Sequence, residues 1–173
     1  LPDITIVAPV FIAGDMSSPF GYVATRAHHA DVGGMTPGSM AVSREIYQEG
    51  LIIPPIKLVK SGIVDSGLMT LITANVRTPQ ERKGDFLAQI AANQRGISRL
   101  QELVQRFNSE IVSQYMEHLL SYTERMTRHL ITSIPDGTYT FTDYLDNDGV
   151  TRHKIPITAT ITIKNDCAIV DFT

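Results

Sequence analysis

The sequence predicts an α+β fold: a β-rich N-terminal part, a long antiparallel helical hairpin and a C-terminal antiparallel β-meander. β-branched residues are concentrated in residues 3–12. Apolar residues recur at helical spacing between residues 100 and 130. Residues 157–163 alternate between apolar and polar side chains, as in a half-buried strand. The predicted regions are strands with a His/Asp/Gly motif at 1–62, helices at 63–135 and β-hairpins at 136–173.

The N-terminal region contains two predicted strands. Residues 3–12 form the first, and Pro9 favours a sheet edge or a bulge within it. Residues 20–30 form the second, which leads into a glycine turn at Gly33 and Gly34. A further strand is expected at 56–60, after two prolines that keep the chain extended.

The middle region carries clear helix signals. A short helix is expected at 66–76. The start of a long helix is then indicated by Thr78 as N-cap, Pro79 at the first helical position and Glu81 as the glutamate of a capping box. Asn108 can cap a second long helix, which continues to Pro135. Two long helices joined by so short a link favour antiparallel packing.

The C-terminal region reads as a meander. Residues 138–146 alternate as a strand, and 146–149 form a turn. A second strand covers 157–163, and Lys164–Asp166 turns it into a last strand at 167–172.

Composition excludes several classes of protein. The 173 residues are 43% hydrophobic and carry a net charge of −3 without a basic block, which argues against nucleic-acid binding. No apolar run has the length of a membrane span. Cys167, the only cysteine, is expected to be a small buried hydrophobe, and the lack of an internal disulfide favours a cytoplasmic location. Because both ends lie in strand-like sequence, we expect the chain to be a fragment of one larger subunit.

The strongest chemical signal is the segment from Arg26 to Gly34, which contains His28, His29 and Asp31. Imidazole and carboxylate groups are ligands that divalent metals prefer. Strand alternation places the two histidines on opposite faces and pairs His29 with Asp31, unless the glycines break the alternation. The structural alternative is one exposed histidine, one packed histidine and an aspartate that caps a turn.

A second polar pattern lies on the first long helix. Asp85, Gln89 and Asn93 share one face at i, i+4 and i+8. Such a stripe is usually solvated, but it can also face a cleft or a neighbouring protein. Gly84 and Gly96 in the same helix each cost about 1 kcal/mol relative to alanine, which close packing against another segment would explain.

Several runs spread in order over the whole chain resemble the hydantoinase B/oxoprolinase family. They are Leu1–Asp3, Pro9–Phe11, His28–Gly34, Pro37–Met40, Gln48–Gly50, Ile53–Pro55, Arg82–Asn93, Pro135–Tyr139 and Val170–Thr173.

This resemblance implies a function for the parent protein. It would be the B-type subunit of an ATP-dependent cyclic amidohydrolase that opens a small-molecule ring such as a hydantoin or 5-oxoproline. A hydantoinase A-type partner would bind the ATP, so we expect a hetero-oligomer. The alternatives are a ketone carboxylase subunit of the same family and a non-catalytic segment for assembly with the partner.

The resemblance also implies site residues. A divalent metal, zinc or manganese, would be bound by Asp3, His28 and Asp31. The catalytic residues would be His28 and Asp31. A further histidine ligand would precede Leu1. The isolated fragment is therefore expected to be inactive and to bind metal weakly.

Overall fold

A computed structural model describes residues 3–14, 16–39 and 41–173. It confirms the α+β class, with a β-rich N-terminal region, long helices and a C-terminal three-stranded antiparallel sheet. The chain forms two compact units, Leu1–Arg106 and Phe107–Thr173. The boundary between the units therefore falls within the predicted helical region.

The first unit begins with a two-stranded antiparallel hairpin. Strand β1 (Asp3–Val10) pairs with β2 (Gly21–His28) in continuous register, so Pro9 lies opposite Tyr22 without a bulge. Each strand is an edge in a two-stranded sheet, which is where proline is tolerated. The even-numbered residues of β1 and the odd-numbered residues of β2 are the less exposed ones, so the hairpin has one inner and one outer face.

Short elements connect the hairpin to the helices. Two 3-10 turns, Pro37–Ser39 and Ile46–Gln48, precede a small hairpin of β3 (Val59–Lys60) and β4 (Ile63–Val64). Helix α1 (Ser66–Ala74) begins after Asp65, whose side chain accepts a hydrogen bond from the Leu68 amide. Helix α2 (Pro79–Phe107) begins at the predicted proline.

The core of this unit joins the helices to the inner face of the hairpin. Met69 and Ile72 of α1 and Phe86 of α2 pack with Ile4 and Ile6 of β1. The polar stripe of α2 also faces the hairpin: Gln89 and Asn93 are buried, while Asp85 stays half exposed. The interpretation of a solvated stripe is therefore wrong for Gln89 and Asn93.

The second unit contains helix α3 (Ser109–Ile131) and the meander. Asn108 caps α3 as predicted, with its side chain accepting a hydrogen bond from the Ile111 amide at 2.9 Å. Strands β5 (Gly137–Leu145), β6 (Ile155–Lys164) and β7 (Cys167–Asp171) form a sheet in the order β5-β6-β7. The link between β5 and β6 spans 146–154, longer than the predicted turn.

Two further predictions concern this part of the chain. Cys167 is exposed rather than buried, because it begins a sheet-edge strand beside the Arg128 side chain. The antiparallel packing of α2 against α3 stays a prediction, since the two helices lie in different units. Among the residues the structure describes, no helix is both long and apolar enough to cross a membrane.

Candidate functional site

Asp3 and His28 form a pair at the open end of the hairpin. They lie directly opposite each other in the β1–β2 register, so both side chains project from the outer face. The Nδ1 atom of His28 lies 2.8 Å from Oδ1 of Asp3. The His28 side chain is 52% exposed, so its ring is accessible to a ligand.

Arg26 completes this outer-face cluster. It lies two residues before His28 on the same face, and its Nε and Nη2 atoms donate to Oδ2 of Asp3 at 3.3 and 3.1 Å. The hydrogen bond with His28 is the largest cause that lowers the pKa of Asp3, and the bonds from Arg26 lower it further. Asp3 is therefore a carboxylate at neutral pH, the form that binds a metal or orients an imidazole.

His29 points the opposite way, into the protein. Its side chain is fully buried, and its ring centroid lies 4.9 Å from that of Phe86. Its Nε2 atom is 2.9 Å from Oε1 of Gln89. Among the described residues its Nδ1 atom has no hydrogen-bond partner, and it lies 3.9 Å from a carboxylate oxygen of Asp85. Strand alternation thus continues through both histidines.

Asp31 is held by Arg77 rather than by the histidines. The backbone amide and the Nη1 atom of Arg77 each donate to the buried Asp31 carboxylate at 2.7 Å. Burial raises the pKa of Asp31, but these hydrogen bonds lower it more, so the net pKa is below the ordinary value. Arg77 also donates to the Gly34 carbonyl at 2.8 Å, so the pair anchors the glycine turn.

The glycine turn needs glycine for two reasons. Gly33 and Gly34 both have φ of +87°, a left-handed conformation that other residues rarely adopt. A Cβ atom on Gly33 would lie 2.6 Å from the Asn75 carbonyl oxygen, and one on Gly34 would lie 2.7 Å from that of Gln48. Glycine at both positions therefore lets the turn pass close to the backbone at Gln48 and at Asn75.

The predicted ligands are only partly brought together. Asp3 and His28 meet and present carboxylate oxygen and imidazole nitrogen, a donor set that suits zinc or manganese. Within residues 3–14, 16–39 and 41–173, no group of three or more His, Cys, Asp or Glu side chains is arranged to hold a metal. The pair fits as part of a metal site, and the metal and catalytic roles of Asp31 stay predictions.

Three further residues of this region were not predicted from the sequence as site components. Arg26 could have been found, because it is two positions before His28 on a predicted strand. Arg77 and Gln89 reach the motif from 46 and 60 residues away, and no sequence spacing indicates those contacts.

The model of the hydantoinase B/oxoprolinase family matches residues 1–173. The chain belongs to this family. It is 34% identical over 178 residues to the putative B-type D-/L-hydantoinase subunit of a Pseudomonas species, covering 99% of this chain and 30% of that protein. It is 35% identical over 180 residues to 5-oxoprolinase of Dictyostelium discoideum, covering 99% of this chain and 14% of that protein.

Solved structures of similar proteins share the fold. The ATP-dependent caprolactamase from Pseudomonas jessenii superposes with a TM-score of 0.89 and 31% identity, over 98% of this chain and 29% of that one. A nucleotide-free acetone carboxylase superposes with a TM-score of 0.84 over 99% of this chain and 24% of that one, and its 21% identity supports the fold alone. This family member thus spans less than a third of each of these proteins.

Proposed function

We propose that this chain is a segment of the B-type subunit of an ATP-dependent enzyme that opens cyclic amides. Relatives named for hydantoinase, 5-oxoprolinase and caprolactamase activities support this substrate class. The observation that carries the proposal is the Asp3–His28 pair, which faces outward at the end of the hairpin and is accessible to a metal and a substrate.

Asp3 and His28 would hold a divalent metal together with a ligand from outside this chain. When bound, such a metal polarises a carbonyl oxygen or lowers the pKa of water for attack. The ionised Asp3 carboxylate accepts a hydrogen bond from Nδ1 of His28, because an ionised carboxylate has no proton to donate. This bond holds Nδ1 of His28 beside Oδ1 of Asp3, so the two atoms that would bind a cation are already adjacent, and Nε2 on the far side of the ring is left for a proton.

Arg26 gives this face its substrate preference. Its exposed guanidinium lies against Asp3, and a divalent cation at the pair would leave the cluster with a net positive charge. Such a cluster attracts a negatively charged group, either a carboxylate of the substrate or a phosphoryl group added to the amide oxygen. Arg26 would bind that group while Nε2 of His28 gives or takes a proton at the amide that opens.

The partner in this scheme is a hydantoinase A-type subunit that binds ATP. Two relatives are named as single subunits of larger enzymes, a D-/L-hydantoinase and a caprolactamase, and this supports a hetero-oligomer. The cytoplasmic location, which would supply ATP, belongs to the same proposal.

The test uses the full-length subunit purified with its ATP-binding partner. Ring opening of 5-oxoproline, hydantoin and caprolactam is measured with and without ATP, for the wild type and for His28→Ala. The proposal expects ATP-dependent opening of at least one ring, and loss of both activity and bound metal in the variant. ATP-dependent carboxylation of a ketone with no ring opening would replace the proposal with the carboxylase function. Full activity and metal content in a folded His28→Ala variant would indicate an assembly segment.

A further inference from the structure

We propose that Gln89 of α2 is a positioning residue that fixes the outer-face cluster of Asp3, Arg26 and His28 from the opposite side of the hairpin. This inference rests on the proposed function of that cluster. Gln89 touches none of the three side chains, and it acts through the residues next to each of them.

The contacts of Gln89 define this role. Its Nε2 atom donates to the Ile4 carbonyl at 3.0 Å and lies 3.5 Å from the Thr25 carbonyl. Its Oε1 atom lies 2.9 Å from Nε2 of His29. Ile4 follows Asp3, Thr25 precedes Arg26, and His29 follows His28. One buried amide therefore binds a neighbour of every member of the cluster.

The two ends of the amide have fixed chemical roles. Because its nitrogen faces carbonyl oxygens, the Oε1 atom must be the acceptor toward His29. His29 therefore donates from Nε2. Neither a carboxylate nor an apolar side chain can donate to Ile4 and accept from His29 at once. The position is specific for an amide of this length.

Because Gln89 is buried, its hydrogen bonds can hold the end of the hairpin in place. The residue is only 6% exposed, so water does not replace a lost hydrogen bond. The outer-face pair sits at the open end of a two-stranded hairpin, where strands fray unless they are held. The amide holds both strands at that end against a long helix.

Asn93 provides a matched control on the same helix. It is also buried, and its Nδ2 atom donates to the Ile6 carbonyl at 2.9 Å. Ile6 lies three residues from Asp3 and, unlike the contacts of Gln89, is not next in sequence to any member of the cluster. Loss of the Asn93 bond removes a buried amide contact between the same helix and the same strand without releasing the cluster.

The experiment compares Gln89→Glu with Asn93→Asp in the full-length subunit with its partner. Each change keeps the size of the side chain and replaces the donating nitrogen with oxygen. We expect Gln89→Glu to weaken Mn²⁺ or Zn²⁺ binding by about 10- to 100-fold, as loss of a group that orients a metal ligand does. We expect a similar fall in kcat with little change in KM, and a change of less than about threefold for Asn93→Asp. Unfolding midpoints measure whether both variants fold.

A second pair of variants keeps the test decisive if the buried acids prevent folding. Gln89→Met and Asn93→Leu remove the polar groups without adding charge, and the same difference in metal affinity is expected. Equal metal affinity in the two members of a pair would overturn the positioning role. The proposed function is tested separately by His28→Ala: if that variant loses metal while both members of a pair retain it, only the Gln89 inference fails.

Discussion

Replacing each of the two adjacent histidines with alanine should separate stability from function. His29→Ala should destabilise the chain strongly, whereas His28→Ala should leave stability nearly unchanged and abolish metal binding and turnover in the full-length enzyme. The reason is that one ring is buried against α2 and the other is exposed on the outer face.

The size of the His29 effect follows from its contacts. His29→Ala leaves the Gln89 oxygen buried without the hydrogen bond from His29, which costs about 1–3 kcal/mol. The lost packing against Phe86 adds a cavity term, so the total is about 3–4 kcal/mol. This is a large part of the stability of a typical domain.

The assay is urea unfolding of the 173-residue chain for stability and metal analysis of the full-length subunit for function. His29→Gln, which can donate a hydrogen bond without the ring, serves as an intermediate variant. If His28→Ala proved as destabilising as His29→Ala, or if His29→Ala alone removed the metal, the assignment of the two faces would be refuted.

The remaining predictions concern two helix glycines, Asp31 and the number of metal ligands. Gly84→Ala should stabilise the chain by about 1 kcal/mol, because helix propensity improves and no atom of the described residues lies within 4 Å of the new Cβ. Gly96→Ala should destabilise the chain by about 1 kcal/mol. The new Cβ would lie 2.6 Å from Val23, and this overpacking costs about 2 kcal/mol, whereas the better helix propensity of alanine returns about 1 kcal/mol. Denaturant unfolding that gave the two variants the same stability would contradict this packing. Asp31→Ala should cost about 2 kcal/mol at pH 7 through the lost bonds to Arg77. Since the folded-state pKa of Asp31 is lowered, its stabilisation is present above about pH 4 and is lost as the pH falls through the folded-state pKa, so the difference between wild type and variant should shrink as the pH is lowered below about 4. A difference independent of pH would argue against the ion pair. The isolated chain should bind Mn²⁺ or Zn²⁺ weakly, because tight sites use three or more protein ligands. A longer chain that includes the histidine expected before Leu1 should bind the same metals more tightly. Equal affinities of the two chains in a calorimetric titration would refute this.

Local signals in the sequence predicted most of the fold. The proline at the start of α2 and the Asn108 cap of α3 act over one helical turn, so they can be read without knowledge of the rest of the fold. The alternation of β2 predicted that His28 and His29 face opposite ways.

The contacts that build the site could not be predicted in the same way. Asp3 meets His28 because of the β1–β2 register, which depends on how the two strands pair and is not stated by the sequence of either strand alone. Gln89 is buried although it is polar, because strand carbonyls and His29 satisfy its amide. Asp31 binds Arg77 across 46 residues, because the segment between α1 and α2 passes beside the glycine turn.

The central claim is that Asp3 and His28 are part of a metal centre in the complete subunit. The most direct measurement is a crystal structure of the full-length subunit with its partner, grown with Mn²⁺ and examined by anomalous scattering at the manganese edge. We expect a peak with an Asp3 oxygen or a His28 nitrogen, or both, within about 2.0–2.3 Å. A peak bound elsewhere, with Asp3 still paired only to His28 and Arg26, would contradict it.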